Sequence, residues 1–168
     1  MKMIIQRLLA ISTVILLSLA LNYATTQDII SVEAGQIGFQ VLLIIYLIQL
    51  VVFLISFVLK TEHYYDLTGG ITYITVIVYT LYQKQLLGTL DFRSILLGVL
   101  ILVWAMRLSS FLFLRIKKAG KDRRFDKIKT NFTRFMLAWA LQGFWVFMCT
   151  LPAITAIASE SKTTDYFL

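Results

Sequence analysis

One cysteine, one histidine and one proline occur in 168 residues, and only 15% of the residues carry charge. Each shortage closes a route. The lone Cys149 forms no internal disulfide and builds no thiolate metal cage. The lone His63 excludes a His-rich metal site, and a single histidine in a loop is expected simply to be solvated. The single Pro152 suits a chain made mostly of helix. A soluble domain of this size is about a quarter charged, so so few ionic groups argue against one. No Walker-type or GxGxxG glycine loop occurs, which rules out nucleotide sites of those kinds. There are no internal repeats, no low-complexity tract and no linker, and residues 1–168 read as a single membrane domain.

What fills the chain is apolar. Hydrophobic residues make up 59% of it, with eight Tyr and three Trp, aromatics that suit a membrane–water boundary. A helix needs roughly 20 apolar residues to cross a hydrocarbon layer of about 30 Å. Five runs approach this length, at residues 4–22, 37–59, 67–87, 95–114 and 135–158. Backbone polar groups in lipid must be satisfied internally, so the expected fold is all-α, a polytopic membrane bundle of about five transmembrane helices. The first run also carries marks of a signal peptide: Lys2 and Arg7 precede an apolar stretch, and Asn22, Tyr23 and Ala24 follow it. Asn and Tyr are not the small residues a cleavage site prefers, so a retained helix is expected.

The net charge of +7 is unevenly placed. Residues 115–134, RIKKAGKDRRFDKIKTNFTR, carry nine cations and join Lys2, Arg7 and Lys60 on one side. The other side has only Lys84, Arg93 and Lys162, and its first loop carries Asp28 and Glu33. The positive-inside rule then puts the N-terminus and the basic loop in the cytoplasm or an equivalent matrix, and the C-terminus opposite. Topology explains the basic charge without a nucleic-acid partner, and none is expected. Membrane lipids are, because each Lys or Arg near an anionic surface contributes about 1 kcal/mol.

Polar residues inside the spans are costly and ask for an account. Thr68, Thr72, Thr75, Tyr79 and Tyr82 alternate in steps of four and three and share one helix face, with Asp66 just before it and Gly69 and Gly70 in its first turn. That face either packs against a neighbouring helix or lines a polar cavity. Arg107 lies about 12 Å inside the membrane from Arg115, deeper than snorkelling comfortably covers. It is expected to face the bundle and to pair with Asp66 or Glu62. Trp139, Gln142, Trp145 and Cys149 are expected on one side of the last helix, Gln142 bonding across helices and Cys149 buried and inert. In the basic loop, Gly120 would let the chain turn and Arg123 and Arg124 would offer forked donors to a phosphate, with Asp122 and Asp126 holding the arginines. The same loop also reads as no more than a topology determinant. These considerations give Arg115, Asp122, Arg123 and Arg124 as candidate cofactor-binding residues, and Asp66, Thr72, Tyr79, Arg107 and Gln142 as candidate cavity residues.

Three segments in order resemble a known family. KTEHYYDLTGGITYI (60–74), WAMRLSSFLFLRIKKAGKDRRFDKIK (104–129) and LQGFWVFMCTLPA (141–153) are similar to stretches of steroid 5-alpha-reductase-like integral membrane proteins of the domain of unknown function 1295 type. The resemblance implies NADPH-dependent reduction of a carbon–carbon double bond in a lipid or steroid, a cytoplasm-facing cofactor end and a lipid-accessible cavity. It would assign Asp66, Arg107, Arg115, Asp122, Arg124 and Gln142 to the cavity and its mouth. In that family two or more helices follow and end in a Tyr-, Arg- and His-rich region holding much of the dinucleotide contact. The sequence stops at Leu168, so the resemblance is to the N-terminal part, and this chain alone is not expected to hold NADPH. The other expectation is a non-catalytic structural or assembly subunit that keeps the fold, with other membrane subunits as partners.

Overall fold

The structure, a computed structural model, describes the backbone of residues 2–27 and 32–159 and the side chains of residues 2–25 and 36–159. Asp28, Lys162 and the side chain of Glu33 lie outside the described residues. Five long helices and one short 3-10 turn make up the described fold: α1 (Lys2–Gln27), α2 (Val32–Val58), α3 (Tyr65–Leu86), α4 (Phe92–Ala119), the turn Arg123–Phe125, and α5 (Phe132–Ala158). Each helix starts two to five residues before its apolar sequence run, and polar side-chain caps set the starts of α4 and α5. Asp91 accepts from the Ser94 N–H to start α4, and Asn131 accepts from the Arg134 N–H to start α5. Gly120, at φ 77°, ends α4 in the left-handed region, as the turn there requires.

α1, α2, α4 and α5 are each long and apolar enough to cross a membrane. α3 is more polar, but at 22 residues it measures about 33 Å, enough to cross as well. Its threonines do not leave polar groups in lipid. Thr68, Thr72, Thr75 and Thr80 each donate to the carbonyl four residues back, at 2.6–2.8 Å. The outer faces are apolar: Leu16, Leu47, Val58, Leu100, Phe111 and Leu114 are all more than half exposed. A surface of this kind belongs in lipid, and the protein is a multi-pass membrane protein.

α5 touches every other helix, and α4 packs chiefly on α3. The main core joins α2, α3 and α5 through Val41, Ile45, Val76, Ile77, Phe147 and Ile154. A second, aromatic core of Phe53, Phe125, Phe135 and Trp139 sits near the basic loop. Phe125 comes from that loop and packs against Tyr65 at a tilt of 54°, ring centroids 4.8 Å apart, so the loop is plugged into the bundle at its centre. Contacts between chain ends define two poles. Arg7 donates to Asn131 and Thr133, joining the starts of α1 and α5, and the His63 ring meets the Gly120 carbonyl at 3.0 Å. His63 is thus exposed but not merely solvated. At the far pole, Lys84 and Arg93 meet the end of α5.

Candidate functional site

A cavity of about 350 Å³ opens among α3, α4 and α5 toward the basic pole. α3 contributes Tyr65, Asp66, Gly69, Gly70 and Tyr73; α4 contributes Leu108, Ser109 and Leu112; α5 contributes Leu141, Gln142, Trp145 and Val146. Arg124 closes one end. The glycines make room: a Cβ on Gly69 would stand 2.7 Å from Gln142 Nε2, and one on Gly70 would collide with the Ser109 hydroxyl. The walls are thus apolar along their length and ionic at one end, the arrangement that receives an amphiphile.

Beside it, the basic loop forms a cleft of about 350 Å³ lined by Arg115, Lys121, Asp122, Arg123 and Arg124, four cations and one carboxylate. Arg124 lines both spaces. Its position is fixed from two sides. Asp122 accepts from Arg124 Nε at 2.9 Å and from its terminal nitrogen, and Asp66 lies 3.8 Å away. Arg115 donates to Asp66 at 3.3 Å. Both arginine side chains keep about half or more of their surface open, at 49% and 62%. Behind them sits Glu62, 1% exposed, which accepts from Lys129 at 2.6 Å and from the Asp122 N–H at 3.2 Å. Burial opposes ionisation of Glu62, but these two donors outweigh it and hold its carboxyl below the usual range. The Arg124 guanidinium does the same for Asp122, and Asp122 in turn raises Arg124.

The sequence-derived candidates divide accordingly. Arg115, Asp122, Arg123 and Arg124 converge on the cleft, and Asp66 and Gln142 line the cavity. Three assignments need correction. Thr72 is fully buried against α2, accepting from Gln49 and donating to the Thr68 carbonyl. Tyr79 donates to Gln40 of α2, and neither it nor Thr72 lines the cavity. The cavity uses the neighbouring α3 face, rotated by one residue, because the threonines spend their hydroxyls on their own helix. Arg107 is exposed on the outside of α4 and pairs with neither Asp66 nor Glu62, whose partners are Arg115, Arg124 and Lys129. Other expectations change too. Asp126 holds Lys121 rather than an arginine. Cys149 is exposed, not buried, and the face expected on α5 is split, with Trp139 1% and Trp145 67% exposed. Gln142 does bond across helices, donating to the Tyr65 carbonyl at 2.8 Å.

Glu62, Phe125, Tyr65 and Tyr73 complete the site and were not singled out as site residues by the sequence. Two acidic residues, Glu62 and Asp66, between two apolar runs on the side of the basic loop were the available signal for Glu62. Phe125, the one aromatic within KDRRFDK, was the signal for a loop that inserts.

Five packed helices, an amphiphilic cavity in the membrane and a cationic cleft at its end define a multi-pass membrane protein with a candidate small-molecule site. A family model described as proteins of unknown function, DUF1295, matches residues 52–167, and the chain belongs to that family. The match takes in all three resembling segments and every cavity and cleft residue. No curated protein and no solved structure matches the chain.

Proposed function

We propose that this protein is the substrate-holding part of a steroid 5-alpha-reductase-like membrane enzyme, acting on a double bond in a lipid or steroid with NADPH. The observation that carries this reading is the shared Arg124. One guanidinium borders both the amphiphilic cavity and a cleft of four cations, so a hydrophobic substrate and an anionic cofactor would lie side by side. The donor set suits phosphates: Arg123 is exposed and has no acidic partner among the described residues, and Arg115 and Arg124 present open forks. NADPH, when bound, would supply the hydride. Arg115, Arg123 and Arg124 would hold its phosphates, Asp122 would orient Arg124, and Tyr65, Tyr73 and Gln142 would border the substrate. The remaining dinucleotide contacts would come from outside this cavity and cleft. In this reading the N-terminus and the basic loop face the cytoplasm or an equivalent matrix, and the C-terminus faces the other side.

Trypsin cleavage of the basic loop tests the reading in the purified full chain in lipid nanodiscs. NADPH should slow cleavage after Arg123 and Arg124 more than sodium chloride of equal ionic strength does, and Arg123→Gln should weaken the protection about tenfold. Equal cleavage with and without millimolar NADPH would remove the cofactor from the proposal. A second reading, a non-catalytic structural or assembly subunit, is favoured by one observation, the exposed Arg107 on a membrane-facing surface.

A further inference from the structure

Arg107 stands near the middle of α4, twelve residues from its end at Ala119 and fifteen from its start at Phe92. About 12 Å of helix separates it from Arg115, the first cation of the basic loop. Its neighbours on the outer surface are Val103, Trp104, Phe111 and Leu114, exposed by 44–64%. Ser110, one turn on, is exposed as well. No described side chain bonds or pairs with Arg107. An isolated cation at this depth costs about 3 kcal/mol by insertion scales and more by others, and such residues in membrane proteins face a partner or water.

We infer that the outer face of α4 around Arg107 docks a transmembrane helix of another protein, one that presents a carboxylate near mid-membrane. Charge decides the occupant. A second copy of this chain offers no such group at that depth, since none of the five apolar runs contains an Asp or Glu, and the described ones, Glu62, Asp66, Asp91, Asp122 and Asp126, lie at helix ends or in loops. A lipid phosphate lies at the headgroup level, a helical distance of about 12 Å away. A carboxylate on a neighbouring helix meets the guanidinium at its own depth, and Ser110 beside it adds a second hydrogen-bonding group. α4 packs chiefly on α3, so its outer face is open for a helix to lie along it. This docking surface stands apart from the cavity and holds whether or not the protein is an enzyme.

The test is made on the full chain in its native membranes, extracted in mild detergent and sized on native gels. The wild type is expected in a species larger than the monomer. Arg107→Lys should keep it, and Arg107→Glu should weaken association at least about thirtyfold. A carboxylate-to-lysine change in a membrane helix of the associated protein should restore assembly with Arg107→Glu alone. Ser110→Trp keeps the charge but blocks the face, and should also disperse the species. It therefore serves should Arg107→Glu insert poorly. A monomeric wild type, a large species indifferent to both changes, or co-purification of two differently tagged copies with no second protein would each overturn the inference.

Discussion

At the basic pole, Glu62, Asp66 and Asp122 each accept from a lysine or arginine; at the opposite pole, Lys84 and Arg93 turn to backbone carbonyls, with the Asp91 carboxylate 3.7 Å from Arg93 as well. Lys84, 2% exposed, donates to the carbonyls of Ile157 and Ser159, and Arg93 reaches those of Ala156 and Ser159. These are the terminal carbonyls of α5, which lack partners within the helix and carry the negative end of its dipole. So the two described cations that run against the charge asymmetry close a helix end. At the basic pole the carboxylates are the inner layer and the arginines the outer one, half open to a ligand. The count of charges says which pole is basic. The hydrogen-bond partners say which cations are available.

The largest way to break this contrast is to remove the inner layer. Glu62→Ala leaves Lys129 without its carboxylate and the Asp122 N–H without its acceptor. We expect a loss of about 3 kcal/mol, because one member of a largely buried pair is left uncompensated. Trypsin should then cut the basic loop faster while α3–α5 stay folded. Unchanged thermal stability in detergent would mean that Glu62 is not the anchor of the loop.

Next comes the opposite pole. Lys84→Met keeps the bulk and removes the donor, leaving buried carbonyls of Ile157 and Ser159 short of a partner. The expected cost is about 2 kcal/mol. Hydrogen exchange should rise in the last turn of α5 and not in the loop. If exchange rises equally at both poles, they are not separate.

Acid offers a smaller, reversible version of the first change. The carboxyls of Glu62 and Asp122 sit below their ordinary values of about 4 when folded. For such groups the unfolded state binds protons first, so their stabilisation is fully present above the unfolded values and is lost as pH falls through the lower folded ones. We expect the loop to loosen below about pH 4, while the Lys84 and Arg93 contacts hold. Asp91, whose Ser94 cap keeps its carboxyl low, is only partly buried and contributes less at the far pole. In Glu62→Gln the acid transition should shrink; a full-sized one would assign it elsewhere.

How much of this could be read from the chain follows from the range of each interaction. The apolar runs gave the helices, since length against the bilayer is local information. The caps that lengthen them, Asp91 and Asn131, were visible but lay outside the apolar count. The cleft residues were legible because cations crowd one short loop around Gly120. The cavity face of α3 was not. Periodicity placed Thr72 and Tyr79 on a polar stripe, and only the fold shows that their hydroxyls are already used within α3 and against α2. Arg107 failed for a related reason. Depth in the sequence indicates that a cation needs a partner, but the rotation of α4, which turns it outward, is set by packing on α3.

The smallest effect should come from the outermost pair, and its smallness is itself informative. Arg115 donates to Asp66 at 3.3 Å with about half its side chain in the open, and Asp66 keeps Arg124 at 3.8 Å when Arg115 is gone. An exposed ion pair contributes at most about 1 kcal/mol. Arg115→Gln should therefore change thermal stability by less than that, far below Glu62→Ala. Its trypsin protection by NADPH should nevertheless fall, because the open half of the guanidinium faces the cleft. A variant that costs stability but not protection would place Arg115 with Glu62 in the inner layer, and the division between anchoring carboxylates and ligand-facing arginines would have to move inward.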